Sequence, residues 1–181
     1  SYYARGGSGG GNSNSYRGGG GGGGRIMLAF NDDTNLTTKN RLYVEGGVGY
    51  SGARGEVGTA AYLDKDDQHL YPTMGWRWET ATAPYAYNDI TAHNSTLLRT
   101  EGPAMPVNVS GTCTLLSSAN WDTQGSDLQL GCGDMRLESG SRIEGGNRTV
   151  IITATGDVVL NGSAFIRSRT LALLGSANIS L

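Results

Sequence analysis

The C-terminal third of the chain repeats itself, and that repeat restricts the fold more than any other feature. Gly133-Asp134-Met135-Arg136-Leu137 is echoed by Gly156-Asp157-Val158-Val159-Leu160, 23 positions later, and Ile143 falls on Ile166 at the same offset. Arg148-Thr149-Val150-Ile151-Ile152 is echoed by Arg169-Thr170-Leu171-Ala172-Leu173, 21 positions later. Asp157-Val158-Val159-Leu160 then matches Asn178-Ile179-Ser180-Leu181, again at 21. Each block is a short apolar run closed by Gly, Asn, Asp or Ser, the pattern of a strand followed by a turn. A period in the low twenties with this content predicts a β-solenoid. One coil cannot bury its own apolar face, whereas coils stacked about 4.8 Å apart form a continuous inward column. The expected core is Leu137, Val150, Ile152, Val158, Leu160, Leu171, Leu173, Ile179 and Leu181.

Similar short runs occur upstream, at Ile26 to Phe30, Arg41 to Val44 and Ala60 to Leu63. No apolar stripe of helical period accompanies them. Glycine supplies 30 of the 181 residues, which disfavours helix and favours tight, repetitive packing. The sequence therefore reads as all-β: a parallel β-helix (β-solenoid) with irregular rungs and a glycine-rich N-terminal tail. Residues 1–24 form the tail, with Gly18 to Gly24 an unbroken run, and residues 25–181 form the solenoid. Pro72 and Pro84 bracket an expected loop excursion over 70–88 that concentrates Tyr71, Trp76, Trp78, Tyr85 and Tyr87.

The net charge of −2 comes without a basic patch, so nothing favours nucleic acid or an anionic membrane as a partner. No stretch approaches the roughly 20 apolar residues that span a bilayer. The chain begins at Ser1 with no signal peptide, as in a processed chain or a fragment.

Three segments carry a resemblance. Gly18 to Gly24 lead into Arg25-Ile26-Met27-Leu28. Leu42-Tyr43-Val44-Glu45-Gly46-Gly47 and Gly58-Thr59-Ala60-Ala61-Tyr62-Leu63 follow. Leu128-Gln129-Leu130-Gly131-Cys132-Gly133-Asp134 opens a run of rungs, and Tyr87 to Asn94 looks like a further one. Together they resemble bacterial-type extracellular parallel β-helix surface proteins with glycine-rich segments. The resemblance implies β-helix architecture and a location outside the cell or at its surface, and says little about activity.

Cys113 and Cys132 are 19 residues apart, close to one rung, which predicts a disulfide between neighbouring rungs in an oxidising compartment. A Cys-x-x-Cys redox pair is missing. His69 and His93 stand in polar contexts without a convergent partner. Asn31-Asp32-Asp33 and Asp64-Lys65-Asp66-Asp67 follow strands and read as solvated turns; calcium is the alternative, although neither has the spacing of a dedicated loop. No other cofactor is indicated. Asn35, Asn94, Asn108, Asn147, Asn161 and Asn178 open Asn-x-Ser/Thr sequons, here read as turn residues. Nucleophile elbows, zinc-protease motifs and phosphate loops are absent from the sequence.

The expected function is structural and non-enzymatic: a subunit of an extracellular filament or surface fibre that stacks end to end with copies of itself. The apolar C-terminal strand, with Ile179 and Leu181, would template a further strand, and Tyr2, Tyr3 and Tyr16 would anchor the tail on a neighbouring copy. The alternative is an adhesin domain whose aromatics bind extracellular polysaccharide. A polysaccharide-active enzyme would need converging carboxylates. Only Asp134 and Asp157 match in register, at a corner where turn chemistry accounts for them.

Overall fold

Short apolar alternations separated by Gly, Asn and Ser turns leave most strands only a few residues long, so burial has to come from stacking between coils. A computed structural model of the chain describes residues 2–8, 22–31, 42–48, 55–56, 58–79, 84–102, 104–175 and 179–180. The strands of the N-terminal half are β1 (Tyr2–Tyr3), β2 (Arg25–Phe30), β3 (Leu42–Tyr43), β4 (Thr59–Asp64), β5 (His69–Pro72), β6 (Gly75–Trp78), β7 (Tyr85–Tyr87) and β8 (Asp89–Ala92). Then come β9 (Leu97–Glu101), β10 (Met105–Leu115), β11 (Asn120–Gly125), β12 (Leu128–Leu137) and β13 (Arg142–Glu144). The last are β14 (Thr149–Ala154), β15 (Val158–Leu160), β16 (Phe165–Arg167), β17 (Thr170–Gly175) and β18 (Ile179–Ser180). No helix occurs among the described residues.

The fold is a parallel β-helix. One face is the parallel sheet β6-β9-β11-β13-β16, one strand from each of five successive coils. The other face is a larger sheet that bends at a corner. Before the corner β7, β10, β12, β14 and β17 stack; after it come β8, β10, β12, β15 and β18. The repeats in the sequence are the register. Met135 lies on Val158, Ile143 on Ile166, Val150 on Leu171 and Val158 on Ile179.

Inward side chains form axial columns. One runs Val107, Leu130, Ile152, Leu173 and another Trp76, Leu98, Trp121, Ile143, Ile166. Trp78 and Trp121 are fully buried and stack at 4.8 Å. The Trp78 indole N–H donates to the Tyr87 hydroxyl at 3.3 Å. The aromatic-rich stretch is thus interior, and β5, β6 and β7 occupy most of the segment expected as a loop excursion. Wide indoles fill the first coils where the later ones use Leu, Ile and Val.

Two polar devices shape the turns. At the junctions into β9, β11, β13 and β16, a backbone β-turn closes between residues three apart: His93 to Thr96, Leu116 to Ala119, Glu138 to Ser141 and Asn161 to Ala164. In the first three both central residues are left-handed: Asn94 and Ser95, Ser117 and Ser118, Ser139 and Gly140. Only Gly162 is left-handed in the fourth. Asn, Ser and Gly tolerate this conformation best, which is why they recur here.

At the corner of the bent sheet an aspartate caps the next coil. Asp89 Oδ1 accepts the Thr112 N–H at 2.7 Å, and Asp134 Oδ1 accepts the Asp157 N–H at 2.8 Å. The residue just before each capped amide is Gly111 or Gly156, and a Cβ at either would collide with that carboxylate.

The N-terminal end departs from the expectation of parallel strands throughout. β4 and β5 form an antiparallel hairpin, and β2 pairs parallel with β4, so β2 and β4 run against every later strand of the sheet. Asp64 closes the hairpin turn, its Oδ1 accepting the N–H groups of Asp66 and Asp67. A second small core, Leu42, Val44, Ala60 and Tyr62, lies beneath glycine-rich strands packed backbone to backbone. Ala4 and Gly6 donate to the carbonyls of Tyr43 and Glu45, and a Cβ on Gly46 or Gly58 would overlap the facing carbonyl of Gly55 or Gly24.

Candidate functional site

Two surfaces depart from a uniformly solvated solenoid. The first is the face of the last described coil. Leu128 and Val150 are fully buried in their column, but Leu171, next in the same column, is 43% exposed. Phe165 and Leu174 of the same coil are also exposed, but at outward positions. Leu171 was expected in the core; it points inward but has no coil above it among the described residues. β17 ends the path of the larger sheet at this end, as β2 does at the other.

The second surface is a groove of about 470 Å³ along the outside of the corner. In β10 the register shifts between Val109 and Thr112, which adds a residue relative to β12 and folds the sheet inward. The outward positions on the floor are Ala86, Asn108, Gly131 and Thr153, stacked one per coil. Asn88, Ser110 and Thr155 border it, with the Ser110 hydroxyl donating to Asn88 Oδ1 at 3.0 Å. Every lining residue is uncharged.

Comparison with protein-family models, curated proteins and solved structures finds no match. The molecule's own geometry therefore carries the functional argument.

The remaining expected site residues divide as follows. Cys113 and Cys132 are buried free thiols, not a disulfide. The rung in this region is 22–23 residues, not 19, so Cys113 lies opposite Met135 and Cys132 opposite Val109. The two fall in different inward columns on either side of the corner. Burial pushes the Cys132 thiol up to about 11, and that of Cys113 further still. Neither is a nucleophile at neutral pH.

Tyr2 and Tyr3 pair with Leu42 and Tyr43 of the same chain, and the Tyr3 ring stacks on Tyr43 at 4.9 Å. The described part of the tail thus seats on its own chain. Ile179 pairs with Val158, while Tyr16 and Leu181 lie outside the described residues. His69 Nε2 is 2.9 Å from Thr91 Oγ1, and its ring stacks on Tyr71. Among the described residues no group of three or more His, Cys, Asp or Glu is assembled to hold a metal. Asp64 to Asp67 form the hairpin turn, and Asp32 and Asp33 lie outside the described residues.

Sequence reasoning missed the groove, whose signal is small or polar residues at matched outward positions, and an ionic clamp. Glu56 pairs with Arg77 at 3.3 Å and Arg99 at 3.7 Å, and Arg77 with Glu101 at 3.2 Å. Arg25 pairs with Glu79, holding that carboxyl below its usual range. These links tie the glycine-rich end to the first coils.

Proposed function

We propose that this chain is a structural subunit of an extracellular filament or surface fibre, in which solenoids stack end to end. The observation that carries the reading is Leu171: an inward core position left 43% exposed directly above the fully buried Val150. A further coil laid on β17 would bury it and pair the strand edge, and a second copy supplies such a coil through its own terminal strand. Head-to-tail contact of β17 with β2 of the next copy would be antiparallel, because β2 runs against the solenoid strands. A contact of this type does not close on itself, so it yields filaments. The resemblance to extracellular β-helix surface proteins supports the extracellular setting.

The test is sedimentation velocity with negative-stain microscopy on the full chain over a wide concentration range, beside Leu171→Lys. Filaments or concentration-dependent growth that Leu171→Lys suppresses, with melting unchanged, support the reading. A full chain that stays monomeric at the highest concentration, or a Leu171→Lys variant that assembles equally well, overturns it.

A further inference from the structure

We infer that the corner groove is a binding site for a neutral polysaccharide, lying lengthwise along the solenoid axis. This rests on the fold and not on filament assembly.

Chemistry chooses the ligand class. The groove offers amides and hydroxyls from Asn88, Asn108, Ser110, Thr153 and Thr155, and no charged side chain. A polyanion would enter beside the Asp89 and Asp134 carboxylates with no counter-charge, whereas a neutral polyol exchanges water hydrogen bonds for protein ones. The floor between these groups is the methyl of Ala86 and the bare backbone of Gly131, over Val109. Such a surface suits the C–H faces of a sugar ring.

Spacing chooses a chain over a single sugar. Ala86, Asn108, Gly131 and Thr153 are successive partners in parallel strands, so the floor repeats about every 4.8 Å and spans about 14 Å. That repeat is close to the rise per ring of an extended glycan. The 470 Å³ volume falls within the roughly 300–1,000 Å³ of established ligand sites.

The corner also braces the groove. Asp89 and Asp134 pin the backbone immediately beside it through the Thr112 and Asp157 amides. Little ordering is then left to do on binding, which favours affinity.

Calorimetry with neutral hexasaccharides of glucose, mannose and galactose in β-1,4 and β-1,3 linkage, and a polygalacturonate oligomer as the charged control, tests the site. Leu171→Lys serves as the background so that assembly cannot mask binding. At least one neutral oligosaccharide should bind. Thr153→Trp, which fills the floor from an exposed position, should weaken it at least about ten-fold without moving the melting curve, and Asn108→Ala should weaken it several-fold. The inference fails if no neutral oligosaccharide binds, if only the charged control binds, or if Thr153→Trp binds as tightly as its background. Competition by a peptide of residues 1–24 in place of sugar would assign the groove to the tail and also overturn it.

Discussion

The carboxylate of Asp134 accepts the backbone N–H of Asp157, one coil further on, at 2.8 Å, and Gly156 leaves room for it. Asp89 does the same for Thr112, so a corner aspartate fastens two of the coil junctions. Asp134→Ala removes the acceptor, and the amide it leaves is costly wherever water cannot replace it. The expected loss is about 1–2 kcal/mol, read as a lower urea midpoint with unchanged slope. Gly156→Ala should be at least as damaging, because its methyl would take the place of the carboxylate. An unchanged midpoint in both variants would remove the corner aspartate from the account of stability.

The stacked turns give a second test. Ser118 is left-handed at φ 65° and Gly140, one coil on, at φ 74°. Ser118→Gly relieves a side chain in a disfavoured region and should raise stability by a few tenths to about 1 kcal/mol. Gly140→Val puts a β-branched residue there and should cost at least about 1–2 kcal/mol. Equal melting temperatures for the two variants would contradict the turn assignment.

Both thiols are buried, so neither should react with iodoacetamide at pH 7.5 in the native protein, and two per chain should react in urea without reductant. A disulfide would leave none. The same burial sets a pH dependence. The folded thiols ionise above the unfolded ones, so the native state holds more protons in that range. The contribution is fully present below about pH 8.5 and is lost as pH rises toward about 11 for Cys132. Urea midpoints should fall over that interval, and a Cys113→Ala/Cys132→Ala double variant should flatten the fall.

Trp121 sits in the inward column between Leu98 and Ile143 and stacks on Trp78. Trp121→Ala should cost about 3–5 kcal/mol and expose Trp78, seen as a red shift of the remaining tryptophan emission. Trp76→Ala, from a less buried position, should cost less.

The later coils were legible in the sequence to the residue. The offsets that align Met135 with Val158 and Ile143 with Ile166 are the strand pairs themselves, because a solenoid turns sequence period directly into spatial register. The reading faltered where the period wavers. Cys113 and Cys132 suited a rung of 19, but the coils there take 22–23, and the corner separates their columns. Leu171 has the pattern of a core residue and lacks only what would cover it. The stretch 70–88 looked like a loop because its strands carry indoles and prolines instead of aliphatic alternation. The groove was invisible for a simpler reason: its floor is made of residues too small or too polar to announce a site.

The reversal at the β4–β5 hairpin has a consequence for how such a molecule can change in size. A solenoid parallel from end to end would present complementary edges at both ends and could lengthen at either. Here duplication of a coil, 20 to 23 residues long by the strand pairing, fits the parallel stack beyond His69, but upstream of Asp64 it would meet strands running the other way. Growth by coil duplication is therefore confined to the stretch beyond the hairpin, and the antiparallel strands before it set a boundary that such growth does not cross.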